Sequence, residues 1–283
     1  MKTYLECLPC IMNQTLRTAR LATNNEKAIR QMLINVGGML GNFDMDSPPP
    51  QSSMCLYQEV SKISGVADPY YQIKQDNIKE ALALYPELKE IVAQSANPLL
   101  TAVRIAIAGN VIDLGMHKPF DIKQDVYAIL KQHFGIDHFY QFEQELSKAK
   151  TVLYLGDNSG ESVFDRILIE QMNKKVYYAV REVPIINDVT LQEALDSGLG
   201  EVAEIISSGS IAPATILSQC NKPFLELFRT ADLIISKGQG NYEGLSDANR
   251  TVFFFLKAKC PVIAKDLNVL ENDIVLKASS ING

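Results

Sequence analysis

The segment GDNSGE contains side chains that could bind a cation and an anion side by side. Asp157 and Asn158 offer oxygen ligands that suit a hard divalent cation. The glycines permit a tight turn, and a helix that begins here would offer free N–H groups to an anion near Ser159 and Gly160. A simpler interpretation is an Asx turn followed by a helix cap. The acid Glu161 at the end of the same segment favours the chemical interpretation over the simpler one.

A second candidate is the segment REVPIINDVT, which runs from Arg181 to Thr190. Asp188 is placed to reach the loop that holds Asp157, and Arg181 stands at the end of the preceding apolar run. Two carboxylates that converge without a cation repel each other, and a bound metal relieves that repulsion. Alternatively, Asn187 or Asp188 only caps a helix that starts near Thr190.

The third candidate is KGQGNYEG, which begins at Lys237 and includes Asn241. Its glycine spacing is wrong for a dinucleotide motif, because the third glycine comes one residue too late. A lysine followed by glycines suits contact with a phosphate, although a surface lysine in a flexible turn is the common alternative. Acidic oxygens and a basic residue on neighbouring loops are what metal-assisted phosphoryl chemistry requires.

Two further groups lie in the first half of the chain. Asn110 and Asp113 close an apolar helix, and they either end it or face a cleft towards the second half. Cys7 and Cys10 stand about one helical turn apart. They are either buried structural thiols or part of a redox or metal site, and no second C-x-x-C segment completes a zinc site.

The elements that must position these residues fall into two unlike halves. Up to Lys148 the apolar residues recur at helical spacing, which predicts an all-helical domain over residues 1–148. From residue 149 short apolar runs alternate with helical segments, which predicts a mainly parallel α/β sheet over residues 149–283. We predict the strands of this sheet at residues 151–155, 176–180, 202–206, 232–236, 261–264 and 274–276, and the helices of the chain at 7–22, 26–43, 58–64, 71–83, 88–94, 98–108, 121–134, 139–149, 161–172, 190–197 and 246–258. The loops after strands 151–155, 176–180 and 232–236 then meet at the carboxyl edge, where α/β sheets bind ligands.

Composition excludes several classes of function. The 283 residues carry a net charge of −6, which argues against a nucleic-acid binder and against a polybasic membrane anchor. No apolar stretch reaches the roughly 20 residues that a membrane span needs, and no signal peptide is evident. Five cysteines, an odd number in a chain of this length, favour a reducing cytoplasm.

Taken together, the motifs resemble those of the metal-dependent damage-control phosphatases, in the mainly prokaryotic subgroup with an N-terminal cysteine pair. The resemblance spans nearly the whole chain and depends on several motifs in the same order. They are CLPC from Cys7, DPY from Asp68 together with Lys74, AGNVID from Ala108, GDNSGE from Gly156, the segment from Arg181 to Thr190, and KGQGNYE from Lys237.

The resemblance implies a helical domain beside a Rossmann-like α/β domain and a site for one divalent metal ion. By matching motif positions, the metal ligands are Asp157, Asn158 and Asp188. Lys237 contacts the phosphate, and Asn110 and Asn241 line the substrate pocket. The other residues that we predict to bind substrate are Asp113, Ser159, Gly160 and Arg181. Mg, Mn, Co and Ni all suit such ligands.

The activity implied is hydrolysis of small phosphate esters, such as sugar phosphates or damaged phosphometabolites, without nucleic acid or membrane as partner. Either a water molecule or Asp157 attacks phosphorus in line, and Glu161 orients the water or accepts its proton. An S-adenosylmethionine-dependent carboxyl methyltransferase and a non-catalytic phosphometabolite-binding protein are the alternatives. The wrong glycine spacing disfavours a nucleotide-dependent dehydrogenase. The oligomeric state stays open, a homo-oligomer included.

Overall fold

The computed structural model describes residues 1–109 and 122–279, without the side chains of Ile122 and Asp125. Within these ranges the α-helices are α1 Cys7–Ala22, α2 Glu26–Met39, α3 Pro49–Ser64, α4 Tyr71–Gln94, α5 Pro98–Gly109, α6 Ile122–Lys131, α7 Phe139–Lys148, α8 Glu161–Met172, α9 Leu191–Asp196, α10 Lys222–Thr230, α11 Gly238–Leu245 and α12 Pro261–Leu267. The strands are β1 Phe134–Asp137, β2 Thr151–Leu155, β3 Lys175–Val180, β4 Glu204–Ser207, β5 Leu233–Lys237, β6 Phe253–Lys257 and β7 Ile274–Ala278.

The strands form one sheet in the order β1-β7-β6-β5-β2-β3-β4. Every neighbouring pair is parallel except β6 and β7, which are antiparallel. The chain leaves β2 towards β3 and β4, then returns to place β5 on the other side of β2. The β2–β5 boundary is therefore a topological switch point, where the loops diverge and open a crevice at the carboxyl edge. The expected mainly parallel α/β sheet is confirmed.

Each face of the sheet is covered by helices, because alternate residues of a buried strand point to opposite faces. Val152 and Tyr154 of β2 belong to the hydrophobic cluster that α4, α5, α7 and α8 cover. Leu153 and Leu155 belong to the cluster on the other face, which α10, α11 and α12 cover. A separate small cluster joins α1, α2 and α3.

Local sequence signals explain where several helices begin. The side chain of Asn97 accepts from the backbone N–H of Leu100 at 3.0 Å, and Pro98 occupies the first position of α5, as predicted. Pro49 similarly opens α3 earlier than the predicted start at residue 58. Pro86 does not divide α4, although the sequence predicts two helices around it, because the packing of its apolar face keeps α4 continuous.

Three predictions of secondary structure are wrong. Residues 134–137 form β1, whereas the predicted helix 121–134 and the all-helical assignment of residues 1–148 allow no strand there. Residues 253–257 form β6 rather than a helix, since the aromatic run is buried on both faces of the sheet. Residues 261–264 open α12 rather than a strand, because Pro261 takes the first helical position. The domain boundary predicted near residue 148 stays a prediction.

Two further expectations from the sequence concern the substrate-contacting residues of the first half and the absence of a membrane span. Asn110 and Asp113, predicted to contact substrate, lie outside the described residues. Among residues 1–109 and 122–279, no helix combines the length and the apolar character needed to cross a bilayer.

Candidate functional site at the switch point

The loops after β2 and β3 are joined by backbone hydrogen bonds that bring the three predicted metal ligands together. Asn158 and Asp188 form an isolated antiparallel β-bridge. The N–H of Val189 donates to the carbonyl oxygen of Asp157 at 2.8 Å, and the N–H of Ser159 donates to that of Asn187 at 2.8 Å. The side chains of Asp157, Asn158 and Asp188 therefore share one small region, which is a buried one.

Arg181 lies at the centre of this region. Its Nε donates to Asp188 Oδ2 at 2.7 Å, and an Nη atom lies 4.0 Å from Asp157 Oδ1. The remaining guanidinium donors reach Thr215 Oγ1 at 3.1 Å and Asn241 Oδ1 at 3.0 Å. Arg181 is only 2% exposed, so its charge acts on these carboxylates with little screening by solvent.

The electrostatics of Asp157 indicate a surplus of negative charge. Burial raises the pKa of Asp157 well above its usual range, and the neighbouring carboxylates of Asp188 and Glu161 raise it further. Arg181 and Lys259 offset only part of this shift. A cation beside Asp157 would therefore be stabilised by charges already in place.

Lys237, the last residue of β5, is buried among protein acceptors. Its Nζ donates to Glu161 Oε1 at 2.6 Å, to Asp165 Oδ1 at 2.5 Å and to the carbonyl oxygen of Ala106 at 2.8 Å. Burial alone lowers the pKa of Lys237, but Asp165 and Glu161 reverse this effect and the pKa is raised overall. Contact between Lys237 and a phosphate would require exchange of one of these three partners, so its predicted phosphate contact stays a prediction.

Asp165 is a member of this cluster that sequence reasoning missed. Tyr154 and Tyr178 donate their hydroxyls to its two oxygens at 2.6 and 2.8 Å. Burial raises the pKa of Asp165 to about 6, and Lys237 opposes that rise. One signal was available in the sequence, because Asp165 stands one helical turn after Glu161 and so shares a helix face with it. A buried acid on that face needs a partner.

Asn241 lies in α11, a helix formed by residues of the third predicted loop, and it hydrogen-bonds to the other two parts of the site. Its Nδ2 donates to the carbonyl oxygens of Gly156 at 3.0 Å and Lys237 at 2.8 Å. Its Oδ1 accepts from the N–H of Thr215 at 2.7 Å as well as from Arg181. These bonds join the ends of β2 and β5. Asn241 lies at the predicted site, with a position fixed by the backbone around it.

Two helices of opposite faces begin beside the carboxylates. α8 starts at Glu161 directly after Gly160, and α11 starts at Gly238. Gly238 has a φ of +78°, and a Cβ at this position would lie 1.8 Å from Asp157 Oδ2. Only glycine allows the start of α11 to approach the carboxylate so closely.

Asn77 of α4 is a second residue that sequence reasoning missed. It lies against Gly160, since a Cβ built on that glycine would come 2.9 Å from Asn77 Cβ. Asn77 is 1% exposed, and among the described residues its Nδ2 has no hydrogen-bond partner. A buried amide without a partner costs about 1–3 kcal/mol. Only the three-dimensional packing of α4 on α8 reveals this position.

The donor set fits a divalent cation by charge and by ligand chemistry. Among the described residues, the buried carboxylates Asp157, Asp188, Glu161 and Asp165 face the buried cations Arg181 and Lys237, which leaves a formal net charge of −2 when all six groups are ionised. Carboxylate and amide oxygens suit Mg²⁺ and related ions. Within the same ranges no three His, Cys, Asp or Glu side chains converge as a metal centre, so the set depends on the amide of Asn158 as well as on the two aspartates.

The cysteine pair Cys7 and Cys10 lies in the first turn of α1. All five cysteines are within the described ranges, and all five are free thiols. Burial raises the pKa of both Cys7 and Cys10, and the charges of Cys260 and Glu243 raise the pKa of Cys10 further. Both are therefore thiols rather than reactive thiolates near neutral pH. The alternative roles of the pair stay open.

A surface cavity of about 720 Å³ lies elsewhere, beside the amino ends of β2 and β3. Lys150, Lys174 and Lys175 are among its lining residues, and it shares none with the carboxylate cluster. The convergent buried polar groups belong to the switch point and not to this cavity.

Comparison with known proteins places the chain in a phosphatase family. The family described as "Damage-control phosphatase ARMT1-like domain" matches residues 3–275, and the chain belongs to it. A protein of Pyrococcus horikoshii named a damage-control phosphatase is 35% identical over 285 residues, which cover 97% of each chain. An Archaeoglobus fulgidus protein of the same name is 32% identical over 98% of this chain and 99% of that protein.

A solved structure agrees with this assignment. The crystal structure of a DUF89 family protein from Pyrococcus horikoshii superimposes with a TM-score of 0.89 at 34% identity, covering 99% of this chain and all of the other. An uncharacterized protein of Methanocaldococcus jannaschii is 31% identical over 96% of this chain and 93% of its own length. The family and the named relatives support a phosphatase that acts on damaged metabolites.

Proposed function

We propose that this protein is a metal-dependent phosphatase that hydrolyses small phosphate esters, such as sugar phosphates or damaged phosphometabolites. The observation that carries the proposal is the convergence of Asp157, Asn158 and Asp188 at the switch point, held by the β-bridge between two loops. The net charge of the buried cluster supports a divalent cation there, and Mg, Mn, Co and Ni are the candidates.

We assign the metal to Asp157, Asn158 and Asp188. A bound divalent ion would supply Lewis-acid stabilisation of charge on a phosphate oxygen. Arg181 donates to Asp188 and lies near Asp157, so it holds both carboxylates in place and adds positive charge beside the phosphate.

The phosphate is assigned to the N-terminal end of α8, near Ser159 and Gly160. The first N–H groups of a helix attract an anion. Asn77 supports this placement, because the residue packs against Gly160 and its buried Nδ2 is without a partner among the described residues. A phosphate oxygen at this position would accept the missing hydrogen bond.

Glu161 is the proposed proton acceptor for an attacking water. Its Oε2 lies 3.3 Å from the backbone nitrogen and from Nδ2 of Asn158, within the ligand cluster. Its Oε1 accepts from Lys237 Nζ at 2.6 Å, which fixes the carboxylate in direction. An attack on phosphorus by Asp157 itself is the competing version of the same reaction.

The test is phosphate release from a panel of phosphate esters by protein stripped of metal with a chelator and re-supplied with one metal at a time. Metal binding to the stripped protein is measured in parallel by calorimetry. We expect release that requires metal and that vanishes in Asp157→Ala, while the exposed control Asp196→Ala retains it. Release by Asp157→Ala at the wild-type rate with matched metal content would overturn the site assignment. Absence of release with every metal, with tight binding of S-adenosylmethionine, would favour the methyltransferase instead.

A further inference from the structure

The amide of Asn158 needs a fixed orientation if it is to bind a metal through oxygen. Its Nδ2 donates to Asp157 Oδ2 and to Glu161 Oε2, each at 3.3 Å. With the amide rotated by half a turn, Oδ1 would face these two carboxylate oxygens and be repelled. The two carboxylates therefore fix which end of the amide faces them, and they leave Oδ1 as the ligand atom for a cation.

The position of Glu161 depends in turn on a series of hydrogen-bonded buried groups, which are Lys237, Asp165, Tyr154 and Tyr178. Lys237 Nζ holds Glu161 Oε1 at 2.6 Å and Asp165 Oδ1 at 2.5 Å, and all three side chains are fully buried. Asp165 receives the hydroxyl of Tyr154 on one oxygen and that of Tyr178 on the other. The two tyrosine rings stack with centroids 5.3 Å apart on neighbouring strands, which fixes the position of both hydroxyls.

We propose that Asp165, held by Tyr154 and Tyr178, is a positioning residue for metal binding, which acts through Lys237 and Glu161 on the amide of Asn158. This inference rests on the proposed metal site and extends it to residues that touch neither metal nor substrate. Among the described residues, the carboxylates of Asp165 and Glu161 each accept three hydrogen bonds, one of them from Lys237. A displacement of Asp165 is therefore passed on through Lys237 to Glu161. Groups that orient a metal ligand typically change metal affinity or activity about 10–100-fold when they are removed.

The first variant is Tyr178→Phe, which removes one hydrogen bond to Asp165 without changing charge or ring packing. The second is Asp165→Asn, which keeps the size of the side chain and removes the ionic partner of Lys237. Tyr242→Phe is the matched control. Tyr242 is also buried, packs on Phe254 and donates its hydroxyl to a carboxylate, Asp266, at 2.6 Å, but on the opposite face of the sheet.

The measurement is the Kd for Mn²⁺ by calorimetry on the metal-free full-length protein, together with the thermal midpoint and the KM and kcat for one accepted phosphate ester. We expect Tyr178→Phe and Asp165→Asn each to weaken Mn²⁺ binding about tenfold, the low end of the usual range, with the KM for the ester unchanged. Tyr242→Phe is expected to bind Mn²⁺ as the wild type does, even where its thermal midpoint falls.

Wild-type Mn²⁺ affinity in both variants, with a lowered thermal midpoint, would overturn the proposal. Asp165 and its tyrosine partners would then stabilise the fold without affecting metal binding. Failure of the metal site itself gives a different result, because Asp157→Ala would then bind Mn²⁺ as tightly as the wild type. If Asp165→Asn does not fold, Tyr178→Phe decides the question alone, because it preserves the ion pair between Lys237 and Asp165.

Discussion

Replacing Gly238 by alanine should inactivate the site for a reason that can be separated from backbone strain. The residue has a φ of +78°, and forcing an L-residue into this region costs about 1–2 kcal/mol. The added Cβ would lie 1.8 Å from Asp157 Oδ2, whereas real Cβ contacts essentially never fall under 3.0 Å. The carboxylate and the start of α11 must therefore separate by about 1.2 Å or more, and a misplacement of about 1 Å can cost on the order of 100-fold in rate.

Gly65 provides a matched control for this change. It has a φ of +74°, and a Cβ there would meet no atom within 4 Å. Gly65→Ala therefore carries the same backbone cost without touching a carboxylate. We expect Gly238→Ala to lose at least as much unfolding free energy in urea as Gly65→Ala, because it adds a steric clash to the same backbone cost. We expect only Gly238→Ala to lose phosphate release, by roughly 100-fold.

The assay is initial phosphate release at saturating metal, with the folded fraction of each variant measured by circular dichroism. If Gly238→Ala retains the activity of Gly65→Ala, Asp157 either tolerates displacement or does no chemistry, and the proposed role of its carboxylate is refuted. Weaker Mn²⁺ binding by Gly238→Ala alone would locate the loss at the metal ligand.

Two further predictions concern stability and use buried charges away from the metal ligands. Lys74, fully buried, forms ion pairs with Asp68 at 2.7 Å and Glu193 at 2.6 Å, so Lys74→Met should cost about 3–5 kcal/mol of unfolding free energy in urea. The exposed control Arg229→Ala should cost under about 1 kcal/mol, and equal losses would contradict the argument. Burial raises the pKa of Glu243 from 4.5 to about 7, so the folded state holds a proton more tightly than the unfolded state. The wild type should therefore lose stability relative to Glu243→Gln as pH rises from about 4.5 to 7, with a constant difference above that window. A difference that does not change with pH, measured by urea unfolding across this window, would show that the carboxyl is not protonated in the folded protein.

Local sequence patterns were sufficient to predict an element where its apolar residues allow only one type of secondary structure. The strand at 151–155, the turn after it and the helix at 161–172 were predicted with their observed bounds. A continuous apolar run, then glycines, then a helical period leave few alternatives. For residues 253–257 the same reasoning was wrong, because a short aromatic run fits a buried strand as well as a helix. Only pairing with the neighbouring strands β5 and β7 decides between them.

The sequence alone determined the family, through motifs in a fixed order, and it determined that three strand-end loops carry acidic and basic side chains. Their relation in space was decided by tertiary structure. The pairing of β5 with β2 places Gly238 against Asp157, and the packing of α8 on the sheet joins Asp165 to Tyr154 and Tyr178. Strand order depends on burial and register between distant segments, on which local preference has little influence. For the same reason no spacing in the chain could show that Lys237 is enclosed by Glu161, Asp165 and the carbonyl of Ala106.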